Sequence, residues 1–130
     1  DAAYMCWASR DIGPNIFQFS HTSSTLAAYY ADTNVNTATA TISGLSVGVG
    51  SYQRCAFRKT GTIIDVFDWV SRKTATATNT APGFYLGGTG KFVIGTGSVN
   101  ELNFWFLIPR SVSDAQIWGF LDNPWQLFAP

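Results

Sequence analysis

From Asn36 to Ser43 the chain reads NTATATIS, with Thr and Ala alternating at nearly every position. A period of two is the strongest constraint a short segment can impose. Successive side chains of a strand point to opposite faces, whereas a helix would scatter the same residues around its axis. This stretch therefore predicts a half-exposed strand. Comparable β-type runs recur along the chain: AYMCWAS (3–9), IFQFS (16–20), TLAAYYA (25–31), SYQRCAFRK (51–59), TIIDVFDWV (62–70), GFYLG (83–87), KFVIG (91–95) and ELNFWFLI (101–108). Turn-forming stretches such as DIGPN, GLSVGVG and GGTG separate them. TATATNTAP (74–82) is low in complexity and reads as an exposed loop or an edge strand. Turn signals spaced roughly every 8–12 residues predict an all-β antiparallel jelly-roll sandwich. Neither an internal repeat nor a linker interrupts residues 1–130, so one domain is expected.

One segment has a different period. In SVSDAQIWGFLDNP, Ser113 is placed as an N-cap and Gln116 stands three residues later, which completes a capping box. Val112 and Ile117 are spaced as a hydrophobic staple, and Asp114 favours the positive end of the helix dipole. Ile117, Trp118, Phe120 and Leu121 supply an apolar face, and Asn123-Pro124 ends the helix.

Composition narrows the function classes. Charged residues are only 12% of the chain, against roughly a quarter in typical domains, while aromatics reach 15%. Such a surface is either rich in Thr, Ser and Asn or partly covered by a partner. The formal net charge is zero, so no field draws in nucleic acid or an anionic membrane. No run of about 18 apolar residues is present to span a bilayer. The chain opens at Asp1-Ala-Ala without a signal-peptide pattern, and this reads as a start in mid-domain, after processing or within something longer. Cys6 and Cys55 both fall in apolar strand-like runs and read as buried free thiols, with a disulfide left open by the sequence. With the single His21 they give no zinc spacing and no Ser-His-Asp arrangement.

The C-terminal third carries a resemblance. LNFWFLIPRSVSDAQIWGFLDNPWQLFAP runs from a long apolar strand through Arg110, Ser113, Asp114 and Ile117 into a short helix and an Asn-Pro-Trp ending. GSYQRCAFRKTG, TIIDVFDW, GFYLGG and KFVIGTG precede it as successive strands with glycine turns. The order resembles the concanavalin A-like, laminin-G-like jelly roll, and the tail is similar to those of such domains in phage structural proteins. The resemblance covers residues 45–130 well and 1–44 loosely. It implies a single domain in which some N-terminal strands are missing or supplied by a neighbour. It also implies a non-enzymatic virion module, such as a capsid-decoration or tail-associated protein on the virion surface, docked on other virion subunits. A glycan-binding, lectin-like adhesion module acting extracellularly is the alternative.

The tail raises the question of what it covers. Buried Trp or Phe side chains remove about 150–250 Å2 each from water, so a tail this apolar either closes its own fold or docks on another subunit; the first is expected for Trp125, and Phe128 is left open between the two. Trp105, Trp118, Trp125 and Phe128 are the candidate interface residues. ELNFWFLI is apolar on both faces and predicts a strand buried on both sides.

Three chemistries bear on TIIDVFDWV and YADTNVN. Retaining glucanases of the resembled fold carry Glu-x-Asp-x-x-Glu on one strand, and their two carboxylates must stand about 5–5.5 Å apart. On that pattern Asp65 takes the middle position and Asp68 the last, but the nucleophile position falls on Ile63. No enzyme is expected. Asp65, Phe67 and Trp69 share one strand face, and a carboxylate beside two rings is a fair sugar-binding constellation. The plainer reading makes the rings core and the acid a satisfied one. Asp32, Asn34 and Asn36 could offer oxygens to Ca2+ near a loop rim, as the resemblance implies, but read first as turn formers. No cofactor is expected.

Overall fold

A computed structural model of the chain describes residues 3–9, 16–21, 24–31, 37–46, 53–79, 91–96, 108 and 110–128. The elements are β1 (Ala3–Ser9), β2 (Ile16–His21), β3 (Thr25–Ala31), β4 (Thr37–Ser43), β5 (Cys55–Thr60), β6 (Ile63–Asp68), β7 (Lys73–Thr78), β8 (Lys91–Thr96), the helix α1 (Asp114–Asp122) and a 3-10 turn, Pro124–Phe128. Strands dominate and form two antiparallel sheets. One has the order β4-β3-β2-β1-β8 and the other β5-β6-β7. The chain crosses between sheets after β4 and again after β7. The low-complexity TATAT stretch is strand β7, paired with β6 from Ile63↔Thr78 to Asp68↔Lys73.

The alternation in β4 is expressed as burial. Ala38, Ala40 and Ile42 are buried, and Thr37, Thr39, Thr41 and Ser43 are exposed. Leu26, Ala28 and Tyr30 of β3 join that inward row, and Ile64 and Val66 of β6 meet them from the second sheet. This is the main core. Leu26, Ile64 and Val66 are fully buried, each contributing about 1.5–3 kcal/mol of transfer free energy.

The β5–β6 hairpin fixes what faces outward. Thr60 pairs with Ile63, leaving the two-residue loop Gly61-Thr62. Gly61 takes φ +56, the Gly-first geometry that matches strand twist in tight hairpins. Register then places Ala56 opposite Phe67 and Arg58 opposite Asp65, all on the face turned away from the main core. A second cluster forms there: Phe67, Ile117 and Leu121, with Ala56, Trp69, Val112 and Trp118 packed around them. Helix α1 is thus the lid of the outer face of the second sheet. Its start matches the sequence expectation: Gln116 N–H donates to Ser113 Oγ at 3.2 Å, and Gln116 Oε1 accepts from Ser113 N–H at 2.9 Å.

GFYLG, residues 101–107 of ELNFWFLI, and the Asp32, Asn34 and Asn36 turn lie outside the described residues.

Candidate functional site at the helix-covered sheet face

Two polar clasps hold α1 down, one at each end. At its N-terminal end, Arg58 Nε and Nη2 donate to Asp65 Oδ2 at 2.9 and 2.7 Å. Arg58 Nη1 donates to the carbonyl of Val112 at 2.9 Å and pairs with Asp114 Oδ1 at 2.7 Å. The remaining Asp65 oxygen accepts from Thr76 Oγ1 at 2.7 Å. Burial opposes the guanidinium charge of Arg58, but its bonds to Asp65 and Asp114 outweigh this and hold it above its ordinary value. One arginine therefore ties strand β6, the chain entering α1, and the first helical residue into one unit.

At the other end, α1 has no basic residue in its last turn, where carbonyls need donors. Arg54, just ahead of β5, supplies them: its Nη1 donates to the carbonyls of Leu121 and Asp122 at 3.0 and 3.1 Å. The same guanidinium lies over the Trp69 ring at 4.6 Å. Trp69 Nε1 donates to Asp122 Oδ1 at 2.9 Å, and Arg72 pairs with the same oxygen. Arg72 also stands over the rings of Trp69 and Trp118, at 5.6 and 5.4 Å. These are cation–π distances. Arg72 sits at φ +57, a conformation that costs a non-glycine residue about 1–3 kcal/mol, and it makes its contacts to Asp122, Trp69 and Trp118 from there. Hydrogen bonds from Arg72 and Trp69 hold the Asp122 carboxyl below its ordinary range.

The expected sugar-binding face is therefore not open. Phe67 is 0% exposed, with Trp118 edge-on at 5.5 Å and 84°. Asp65 is buried and fully engaged. Trp69 lies one residue past the end of β6, in the turn to β7, with its indole N–H spent on Asp122. The cause is the arrival of α1 on this face. Asp65 and Asp68 point to opposite faces of β6, as strand parity requires. Burial alone would raise the Asp68 carboxyl, but hydrogen bonds from Ser71, Gln53 and the Val70 backbone outweigh it and hold the group below its ordinary value. One of them, Ser71 N–H to Oδ2 at 2.7 Å, closes the β6–β7 turn.

The tail also departs from expectation. Trp118, expected at an interface, packs half-buried against the second cluster. Trp125, read as the residue closing the fold, is 67% exposed, and Phe128 is 64% exposed. Among the residues of this turn whose burial is described, Pro124 is buried. In a 3-10 turn residues three apart eclipse, so burying Pro124 sends Trp125 and Phe128 outward together, their rings 6.2 Å apart. Trp105 lies outside the described residues.

Cys55 is a free thiol packed against the main core. Burial, with help from the Asp68 charge, pushes its pKa up to about 12. Among the described residues, no group of three or more His, Cys, Asp or Glu side chains could hold a metal ion. The residues that sequence reasoning passed over are Arg54, Arg58, Arg72 and Asp122. Arg58 had a signal: a two-residue Gly61-Thr62 turn in KTGTII sets it across from Asp65. Arg54 had none, since its partners lie 67 and 68 residues away.

No family model, no curated protein and no solved structure matches this chain.

Proposed function

We propose that this chain is a non-enzymatic structural module of a phage-type virion, a capsid-decoration or tail-associated protein with a concanavalin A-like jelly-roll topology, that docks on neighbouring protein subunits. The observation that carries the reading is the Trp125–Phe128 pair. Two large rings held side by side in solvent, by a turn whose proline is buried, form a preset anchor rather than a frayed end. Buried aromatic anchors dominate binding energy at protein interfaces. The virion setting rests on the resemblance of the tail sequence. The topology is supported by the two antiparallel sheets and by the return of β8 to pair with β1 after the second sheet is complete.

The test is co-sedimentation of the purified chain with phage particles, alongside size-exclusion chromatography with light scattering. Particle binding or ordered self-association is expected. The Trp125→Ser/Phe128→Ser variant should abolish it while shifting stability by no more than about 0.5 kcal/mol, as for other surface changes. A strict monomer with no affinity for particles overturns the reading.

A further inference from the structure

Among the described residues the two sheets end in four strands, β4 and β8 in one and β5 and β7 in the other. A sheet edge presents backbone N–H and C=O groups ready to pair with another chain, and monomeric proteins blunt such edges with charge, proline or a bulge. Two of the four edges carry such devices. The ladder between β1 and β8 shifts register twice, and β5 holds Arg58 and Lys59. The other two are bare. β4 (TATATIS) and β7 (KTATAT) contain no proline. Each runs in unbroken register along its neighbour, β3 or β6. Their one charge is Lys73, at the start of β7.

The two bare edges also lie together. β4 and β7 pack against each other from opposite sheets, and Lys73 Nζ donates to the carbonyl of Ser43 at 3.5 Å, joining the start of β7 to the end of β4. One rim therefore offers two edges, held roughly 10 Å apart as packed sheets are. Thr37, Thr39, Thr41 and Ser43 stand exposed along one, and Thr74, Thr76 and Thr78 along the other. A lone extended peptide fills one such edge. A second copy turned about a two-fold axis normal to the sheets brings both at the same separation, and it sets each strand antiparallel to its own counterpart. Charge fits this occupant. Full overlap of β7 with its counterpart places Lys73 opposite Thr78 of the second copy, which keeps the two lysines at opposite ends. The zero formal net charge leaves no long-range repulsion between copies. We propose that the β4–β7 rim is a dimer interface through which both sheets continue into a second copy of this chain. The association is separate from docking through Trp125 and Phe128 and rests on different residues.

The experiment is sedimentation equilibrium of the whole chain over a range of concentrations, where a monomer–dimer equilibrium is expected. Full overlap of β4 with its counterpart places Thr39 opposite Thr41 of the second copy, twice by symmetry. Thr39→Lys/Thr41→Lys then sets like charges across from each other at exposed positions. It should weaken the dimer about tenfold, with the fold retained by circular dichroism. Thr39→Glu/Thr41→Glu should do the same. An equimolar mixture of the two variants should dimerise again, which misfolded chains could not do. Repeating the series in the Trp125→Ser/Phe128→Ser background removes any association through the rings and should leave the rim dimer in place. The proposal is overturned by a strict monomer, by a dimer that either charge variant leaves unchanged, by a mixture that stays monomeric, or by a dimer lost in the ring variant. A strict monomer that still binds particles through its rings overturns the rim and leaves the docking reading standing.

Discussion

Arg58 and Asp65 face each other across the β5–β6 hairpin, joined at 2.9 and 2.7 Å through two guanidinium nitrogens and one carboxylate oxygen. The pair is buried on the Asp65 side and 19% exposed on the Arg58 side. Its effect is to seat α1, since the same guanidinium reaches Val112 and Asp114.

Removing only the cation should be costly. Among the described residues, Arg58→Met leaves the Asp65 carboxylate buried with Thr76 as its one neutral side-chain donor. Breaking a buried pair costs about 3–5 kcal/mol, and the partial exposure of Arg58 places the expected loss toward about 2–4 kcal/mol. Urea unfolding measures it. Arg58→Met/Asp65→Leu should recover much of the loss, because no orphan charge remains; equal destabilisation in both variants contradicts this account.

The helix cap gives a smaller, local effect. Ser113→Ala removes the acceptor for Gln116 N–H and should cost about 1 kcal/mol, whereas Ser113→Gly should cost only a few tenths. Thermal melts of the three proteins check the order, and hydrogen exchange in the first turn of α1 should rise in Ser113→Ala.

Acid should weaken the fold through Asp68. Its folded carboxyl is held below the ordinary 3.8, so the folded state binds fewer protons than the unfolded state through that window. The stabilisation is complete above the ordinary carboxylate range and is lost as pH falls below 3.8 through the folded value. Urea midpoints measured from about pH 6 down to about pH 2 should fall most steeply in that window, and Asp68→Asn should flatten the fall. An identical acid limb in the variant counts against Asp68.

Cys55 should be inert while the chain is folded. A thiol pushed up to about 12 carries almost no thiolate near neutral pH, and the thiolate is the nucleophile. In a Cys6→Ser background, iodoacetamide should modify Cys55 only at the rate of unfolding, with full reactivity in urea. Rapid labelling of the native protein rules this out.

Much of the architecture could be read directly from residue order. The Thr/Ala alternation of Thr37–Ser43 became a strand with one face buried, and Ser113 with Gln116 became a complete capping box. In both, the responsible interactions lie within one segment, and a period of two or a three-residue spacing encodes them fully. The helix-covered face was not legible in the same way. Residues Ile64 to Asp68 are buried without a break, so their pattern gives no hint that the main core lies on one side and α1 on the other. That depended on Arg54, far along the chain, meeting the carbonyls at the end of α1. The tail shows the same division. The sequence alone determined that an apolar turn follows Asn123; tertiary packing decided that Pro124 goes inward and that Trp125 and Phe128 face solvent. Local order sets which shapes a segment can take, whereas burial depends on which distant surface arrives to cover it.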